Sequence, residues 1–168
     1  MTNQTQEHRL RQIVAILRIT LGVIILATWF ENLQKGIYTA QGITDLFTHP
    51  DWGAFTYGGG ALPGYRPIIE HTVLQVPGLF AMFQMVAELL MGLGLLVGGL
   101  TPVVGTAAAF FFFNLFLTYF GNTQEWIWTY VLLVVSALVV ALTRSGRVWG
   151  VDAILQRIQG EPKPRFLW

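Results

Sequence analysis

Residues 76–99 read VPGLFAMFQMVAELLMGLGLLVGG, an apolar run with one charge, Glu88, that opens on a proline and closes on paired glycines. A helix of about 20 apolar residues spans the hydrocarbon core of a bilayer. Pro77 suits the first helical position and Gly98-Gly99 a left-handed cap, so the run predicts one helix with defined ends. A carboxylate at the middle of such a helix costs roughly 2.5–3.5 kcal/mol, and residues of this kind usually face a bundle interior and mark a functional site.

The rest of the chain repeats the pattern. Its 168 residues are 54% hydrophobic and 11% charged, against about 25% charged in soluble domains. Further apolar helices are predicted over about 11–36, 101–121 and 124–143. The expectation is an all-α integral membrane four-helix bundle, one domain over 1–168, without a separate soluble catalytic module. The first run is too long for a signal-peptide core and has no small-residue cleavage site, so it reads as a retained helix. Thr101 reads as the cap of the third helix with Pro102 in its first turn, making a tight hairpin with the second. Gly94 and Gly98 form a small-xxx-small pair that allows close helix contact. Arginines and His8 flank the first and last spans, which by the positive-inside rule places both termini in the cytoplasm; a cell inner (plasma) membrane is the expected location.

Between the first two helices lies a long outer segment, about residues 38–75, rich in glycine, proline and aromatic residues. It reads as a packed aromatic cap rather than a free loop. After Arg144, the residues Val151, Ile154, Leu155 and Ile158 share one helical face, which predicts an interfacial amphipathic helix over about 149–159, with Asp152 near its positive N-terminal end.

Counting at about 1.5 Å per residue sets the depths of the intramembrane polar groups. Arg18 lies roughly 8 Å from the inner edge and leans inward, whereas Glu88 lies about 15–18 Å from it and leans outward. A direct ion pair is therefore disfavoured, and Arg18 is expected to snorkel to the inner interface as a structural residue alongside Arg147 and Asp152. Asn114 and Tyr130 reach the depth of Glu88, Gln84 lies one turn from it, and Thr28 lies slightly further out. Glu31 and Lys35 continue that layer toward the exterior. The reading is a ligand or quinone pocket of Thr28, Glu31, Lys35, Gln84, Asn114 and Tyr130 around a catalytic Glu88 that binds a ligand or exchanges a proton with it. The alternative is that the same polar groups only stitch helices together.

Other chemistry finds little support. Cysteine is absent, which excludes thiol redox chemistry and thiolate-bound iron–sulfur clusters, and no span carries a histidine for a transmembrane haem. No metal site and no nucleic-acid surface are expected. Gly59 and Gly60, with Arg66 nearby, form a weak candidate anion site through backbone amides.

The segment Trp29-Phe30-Glu31-Asn32-Leu33-Gln34-Lys35-Gly36, the arginine early in the first helix, Glu88 before a glycine-rich exit, and Gly146-Arg147-Val148-Trp149-Gly150-Val151-Asp152 together resemble the DoxX/DoxD superfamily over nearly the whole chain. The nearest branch is DoxD-like, the small membrane subunit of thiosulfate:quinone oxidoreductase. The resemblance implies electron transfer from thiosulfate, or a related small sulfur anion, to a non-covalently bound membrane quinone, with a DoxA-like partner subunit. It points to Arg18, Glu31, Lys35, Glu88, Arg147 and Asp152. A non-catalytic accessory subunit of a larger membrane complex and a small-molecule transporter stay open beside it.

Overall fold

A computed structural model describes residues 3–56 and 61–160 of the chain. Among these residues there are seven α-helices and no strand: α1 (Asn3–Gln34), α2 (Ala40–Thr48), α3 (Tyr65–His71), α4 (Pro77–Val97), α5 (Thr101–Tyr119), α6 (Trp128–Leu142) and α7 (Val151–Gln159). Short 3-10 turns at Val73–Gln75 and Ser145–Arg147 precede α4 and α7.

Among the described residues three helices, in α1, α4 and α5, are long and apolar enough to cross a membrane. The fourth expected span is shorter than its predicted 124–143. α6 has 15 residues, about 22 Å of helix, and begins only at Trp128. The preceding residues are held in a turn in which Asn122 Oδ1 accepts from Gln124 N at 2.8 Å, a local bond that competes with helix formation. α1 errs in the other direction. Its 32 residues reach about 48 Å, more than the roughly 30 Å of hydrocarbon, so its first turns with Glu7, Arg9 and Arg11 extend the helix beyond its apolar part.

The chain divides into two compact units, one drawn from Met1–Leu26, Leu90–Phe110 and Leu133–Trp168, the other from Ala27–Leu89 and Phe111–Leu132. In the first unit the backbones of α1 and α4 approach where Gly22 leaves no side chain, since a Cβ there would lie 2.6 Å from Leu96 N. α5 and α6 meet at Gly105, where a Cβ would lie 3.0 Å from Ala141 Cβ. Gly98 forms the left-handed cap expected of the glycine pair. At φ +69° it ends α4 in the left-handed conformation, with Gly98 N and Gly99 N both bonded to Gly94 O.

The second unit holds the cap. The segment after α1 is not a loop of irregular backbone: α2 starts where Thr39 Oγ1 accepts from Gly42 N at 2.9 Å, and its Ile43 and Phe47 are buried with Ile37, Phe55, Ile69 and Val73 in a local apolar core. Full burial of such side chains stabilises by about 1.5–3 kcal/mol each. Leu62 N donates to Leu117 O at 2.9 Å, which ties the cap to α5. The cap thereby fixes the turn after α1, where the decisive tyrosine of the site is found.

Candidate functional site

Glu88 lies in the interior of α4, where the backbone N–H groups are already committed to the helix, so its carboxylate must be met by side chains. It is 1% exposed. Gln84, one turn earlier on the same face, donates from Nε2 to Glu88 Oε1 at 2.7 Å. Tyr38 Oη donates to Oε2 at 2.7 Å, and Asn32 Nδ2 approaches the same oxygen at 3.4 Å. Every donor is neutral, and no ion pair involves Glu88 among the described residues. Burial, followed by the bond to Glu88 and its negative charge, pushes the Tyr38 phenol far above its ordinary range. The phenol is therefore a firm proton holder beside a carboxyl group.

Two of these partners lie outside the predicted set. Asn32 belongs to the signature segment at the end of α1, but depth counting favoured its neighbours. Thr28, Glu31 and Lys35 instead lie on the exposed side of α1, and Glu31 and Lys35, each 61% exposed, pair with one another at 2.6 Å. A residue turns by about 100° along a helix, so Trp29 and Asn32 occupy the face beside that stripe. Trp29 Nε1 confirms the direction by donating to Met85 O at 2.9 Å. Tyr38 sits past α1, beyond Gly36 at φ +70°, in a turn where no helical period applies.

Asn114 and Tyr130 have partners of their own. Asn114 Oδ1 accepts from Tyr65 Oη at 2.5 Å, and its carbonyl accepts from Thr118 Oγ1 at 2.8 Å. Burial raises the Tyr65 phenol as well. Tyr130 stacks on Tyr119 with ring centroids 5.7 Å apart and points its hydroxyl at Glu125, 3.3 Å away. Of the predicted layer, Gln84 alone donates to the carboxylate of Glu88.

Arg66 pairs with Glu70 at 2.7 Å and lies over the Phe55 ring at 5.0 Å, so its charge is engaged on the cap surface. Gly59 and Gly60 lie outside the described residues. No group of three or more His, Cys, Asp or Glu among the described residues is placed to hold a metal ion.

The other buried charges make a separate cluster in the first unit. Arg18 does not snorkel to a solvated interface, since it is 0% exposed and its guanidinium donates to the carbonyls of Ser145, Val148 and Trp149 at 2.8, 3.1 and 3.0 Å. Helix α1 passes the turn after α6 closely enough for these carbonyls to replace water. Asp152, also 0% exposed, serves α5 rather than only its own helix. Its Oδ1 accepts from Leu100 N at 2.6 Å, and its Oδ2 from Thr101 N at 3.0 Å and Thr101 Oγ1 at 2.6 Å. The carboxylate thus performs the capping expected of the Thr101 hydroxyl. In return Asp152 N donates to Gly98 O at 2.9 Å. Leu100, Arg144 and Trp149 all take left-handed backbone at this cluster, at φ 51°, 50° and 53°. Such conformations in non-glycine residues persist where surrounding bonds over-determine them. Gly98 completes the fit, because a Cβ there would lie 2.5 Å from Arg18 Nη1.

No family model, curated protein or solved structure matches the chain.

Proposed function

We propose that this protein is a multi-pass subunit of the DoxX/DoxD type, a four-helix membrane bundle with both termini cytoplasmic, in which Glu88 and Tyr38 hold and exchange the proton that accompanies reduction of a membrane quinone. The observation that carries the reading is a carboxyl group 1% exposed and met only by neutral donors, one of them a phenol at 2.7 Å. Such a couple keeps a proton between two oxygen atoms and offers it to a third acceptor. The donor set suits a quinone carbonyl, which takes hydrogen bonds from phenol, amide and carboxylic acid alike. Asn32, at 3.4 Å the slackest of the three contacts, is the one such an oxygen would displace. A bound quinone would accept two electrons and two protons, the electrons coming from thiosulfate or a related sulfur anion through a DoxA-like partner. The part of this chain is to position the proton at Glu88 Oε2 and to exclude water from it.

A second reading, an accessory subunit without chemistry of its own, draws on one feature: both oxygens of Glu88 already have donors within the chain. Thiosulfate-dependent quinone reduction by the intact complex in proteoliposomes separates the two. The substitution Glu88→Gln should lower the rate by roughly 100-fold or more, the usual contribution of a general acid–base group, while bound quinone is retained. An unchanged rate would leave the accessory reading in its place.

A further inference from the structure

The first unit contains a second polar feature that takes no part in the Glu88 chemistry. A cleft of about 220 Å³ is lined by Leu10, Arg11 and Val14 of α1 and by Thr143, Arg144, Ser145, Arg147 and Val148 of the turn after α6. Three arginines converge there from two elements, and among the described residues no acidic side chain lines the cleft. The acid nearest in the helix, Glu7, pairs with Arg11 at 2.8 Å, with both side chains more than 60% exposed, so this solvated contact is weak and leaves Arg11 able to meet a second anion. Arg144 reaches it from left-handed backbone, at φ 50° and ψ 50°. The guanidinium is suited to phosphate because its planar fork matches the phosphate oxygens.

Its level is fixed by the helices that build it. Arg11 lies two residues before the apolar part of α1, which starts at Ile13 and whose one charge is the buried Arg18, and Thr143 follows the last residue of the apolar α6. The cleft therefore opens where hydrocarbon gives way to headgroups. The next element suits the same zone: Trp149, Ile154 and Ile158 are exposed, with Arg157 among them on α7. A ligand held here would meet three cations at one end and Leu10, Val14 and Val148 at the other. That pairing fits an amphiphile better than a free anion.

We propose that this cleft binds the phosphate of an anionic phospholipid, with Arg11, Arg144 and Arg147 around the headgroup and the apolar residues against the start of an acyl chain. The test uses the full chain in nanodiscs of phosphatidylcholine and phosphatidylglycerol, with lipid retained after release counted by native mass spectrometry. Phosphatidylglycerol should be retained in preference to phosphatidylcholine. Arg11→Gln should weaken its retention about fivefold and R144Q/R147Q about 25-fold, as expected for one basic residue each at an anionic surface. Arg157→Gln, outside the cleft, should leave retention within about twofold of wild type. Should the double variant fail to fold, Arg11→Gln decides, since that side chain is exposed. Excess inorganic phosphate should not displace the lipid. Equal retention of both lipids, an equal effect of Arg11→Gln and Arg157→Gln, or displacement by phosphate alone would overturn the proposal, the last of these in favour of a free-anion site.

Discussion

Replacing Asp152 with alanine removes three hydrogen bonds at once, to Leu100 N, Thr101 N and Thr101 Oγ1. Bonds to a charged group contribute about 1.5–3 kcal/mol each, but three that share one carboxylate are not additive. Asp152 is also the negative charge that acts on the buried Arg18 guanidinium. The two make no direct ion pair, so we take about 4 kcal/mol for the whole change, most of it the loss of bonds to a buried carboxylate and the rest a longer-range attraction. For a chain of this length 1 kcal/mol moves Tm by about 2–4 °C, so D152A should melt about 8–16 °C below wild type. Thermal unfolding of the detergent-solubilised protein, followed by tryptophan fluorescence, reads this directly. The double variant R18A/D152A should lose less than the sum of the two single variants, since it leaves no orphaned charge. A D152A protein melting within about 3 °C of wild type, or single effects that simply add to the double, would refute the assignment of Asp152 as both cap and counter-charge.

Two other perturbations bear on the second unit. Because the folded Tyr38 phenol titrates above its ordinary value of 10.0, the folded state keeps a proton that the unfolded chain loses as pH rises past 10. Its contribution to stability is complete below that pH and declines above it, and Y38F should flatten the alkaline decline by up to about 1.4 kcal/mol per pH unit in denaturation measured from pH 9 to 12. An identical alkaline slope in wild type and Y38F would count against a buried phenol at Glu88. Phe47, buried and 5.3 Å from the Phe55 ring, anchors the cap, so F47A should cost about 3–5 kcal/mol and speed hydrogen exchange through α2, whereas unchanged exchange would mean that α2 does not depend on this core.

What the sequence revealed, and what it concealed, follows from the kind of information that depth counting carries. Proline and glycine placed the ends of α4 within two residues, because those residue types act locally on the backbone. Gln84 and Glu88 were legible as partners because positions i and i+4 share a face whatever surrounds them. Thr28, Glu31 and Lys35 flank Asn32 in sequence but lie on the exposed side, away from Glu88. Distance along a helix fixes the axial coordinate, but the rotation of α1 is set by Trp29 and Asn32 packing against α4, which the polar stripe does not encode. Tyr38 was beyond reach for another reason. Its position depends on the turn at Gly36 and on the buried core of the cap, and both α2 and α3 are too short to be secure without that tertiary support.

The two buried carboxylates differ in what faces them, and that difference predicts opposite responses to amide substitution. Each oxygen of Asp152 accepts from a backbone N–H, which can only donate, Oδ1 from Leu100 and Oδ2 from Thr101, and the Thr101 hydroxyl adds a second bond at Oδ2. An asparagine there would turn its amide nitrogen toward a fixed donor, so D152N should be nearly as damaging as D152A. Glu88 is met by a hydroxyl and by side-chain amides, and a hydroxyl donates or accepts equally well. In Glu88→Gln the Tyr38 hydroxyl turns to accept from the new amide, Gln84 still finds an oxygen, and the fold survives the loss of the exchangeable proton. A helix interior supplies no spare backbone donors, so Glu88 is held by side chains, and the ones found here can reverse their bonds. The same reversibility is what the proposed proton exchange at Glu88 requires of its surroundings.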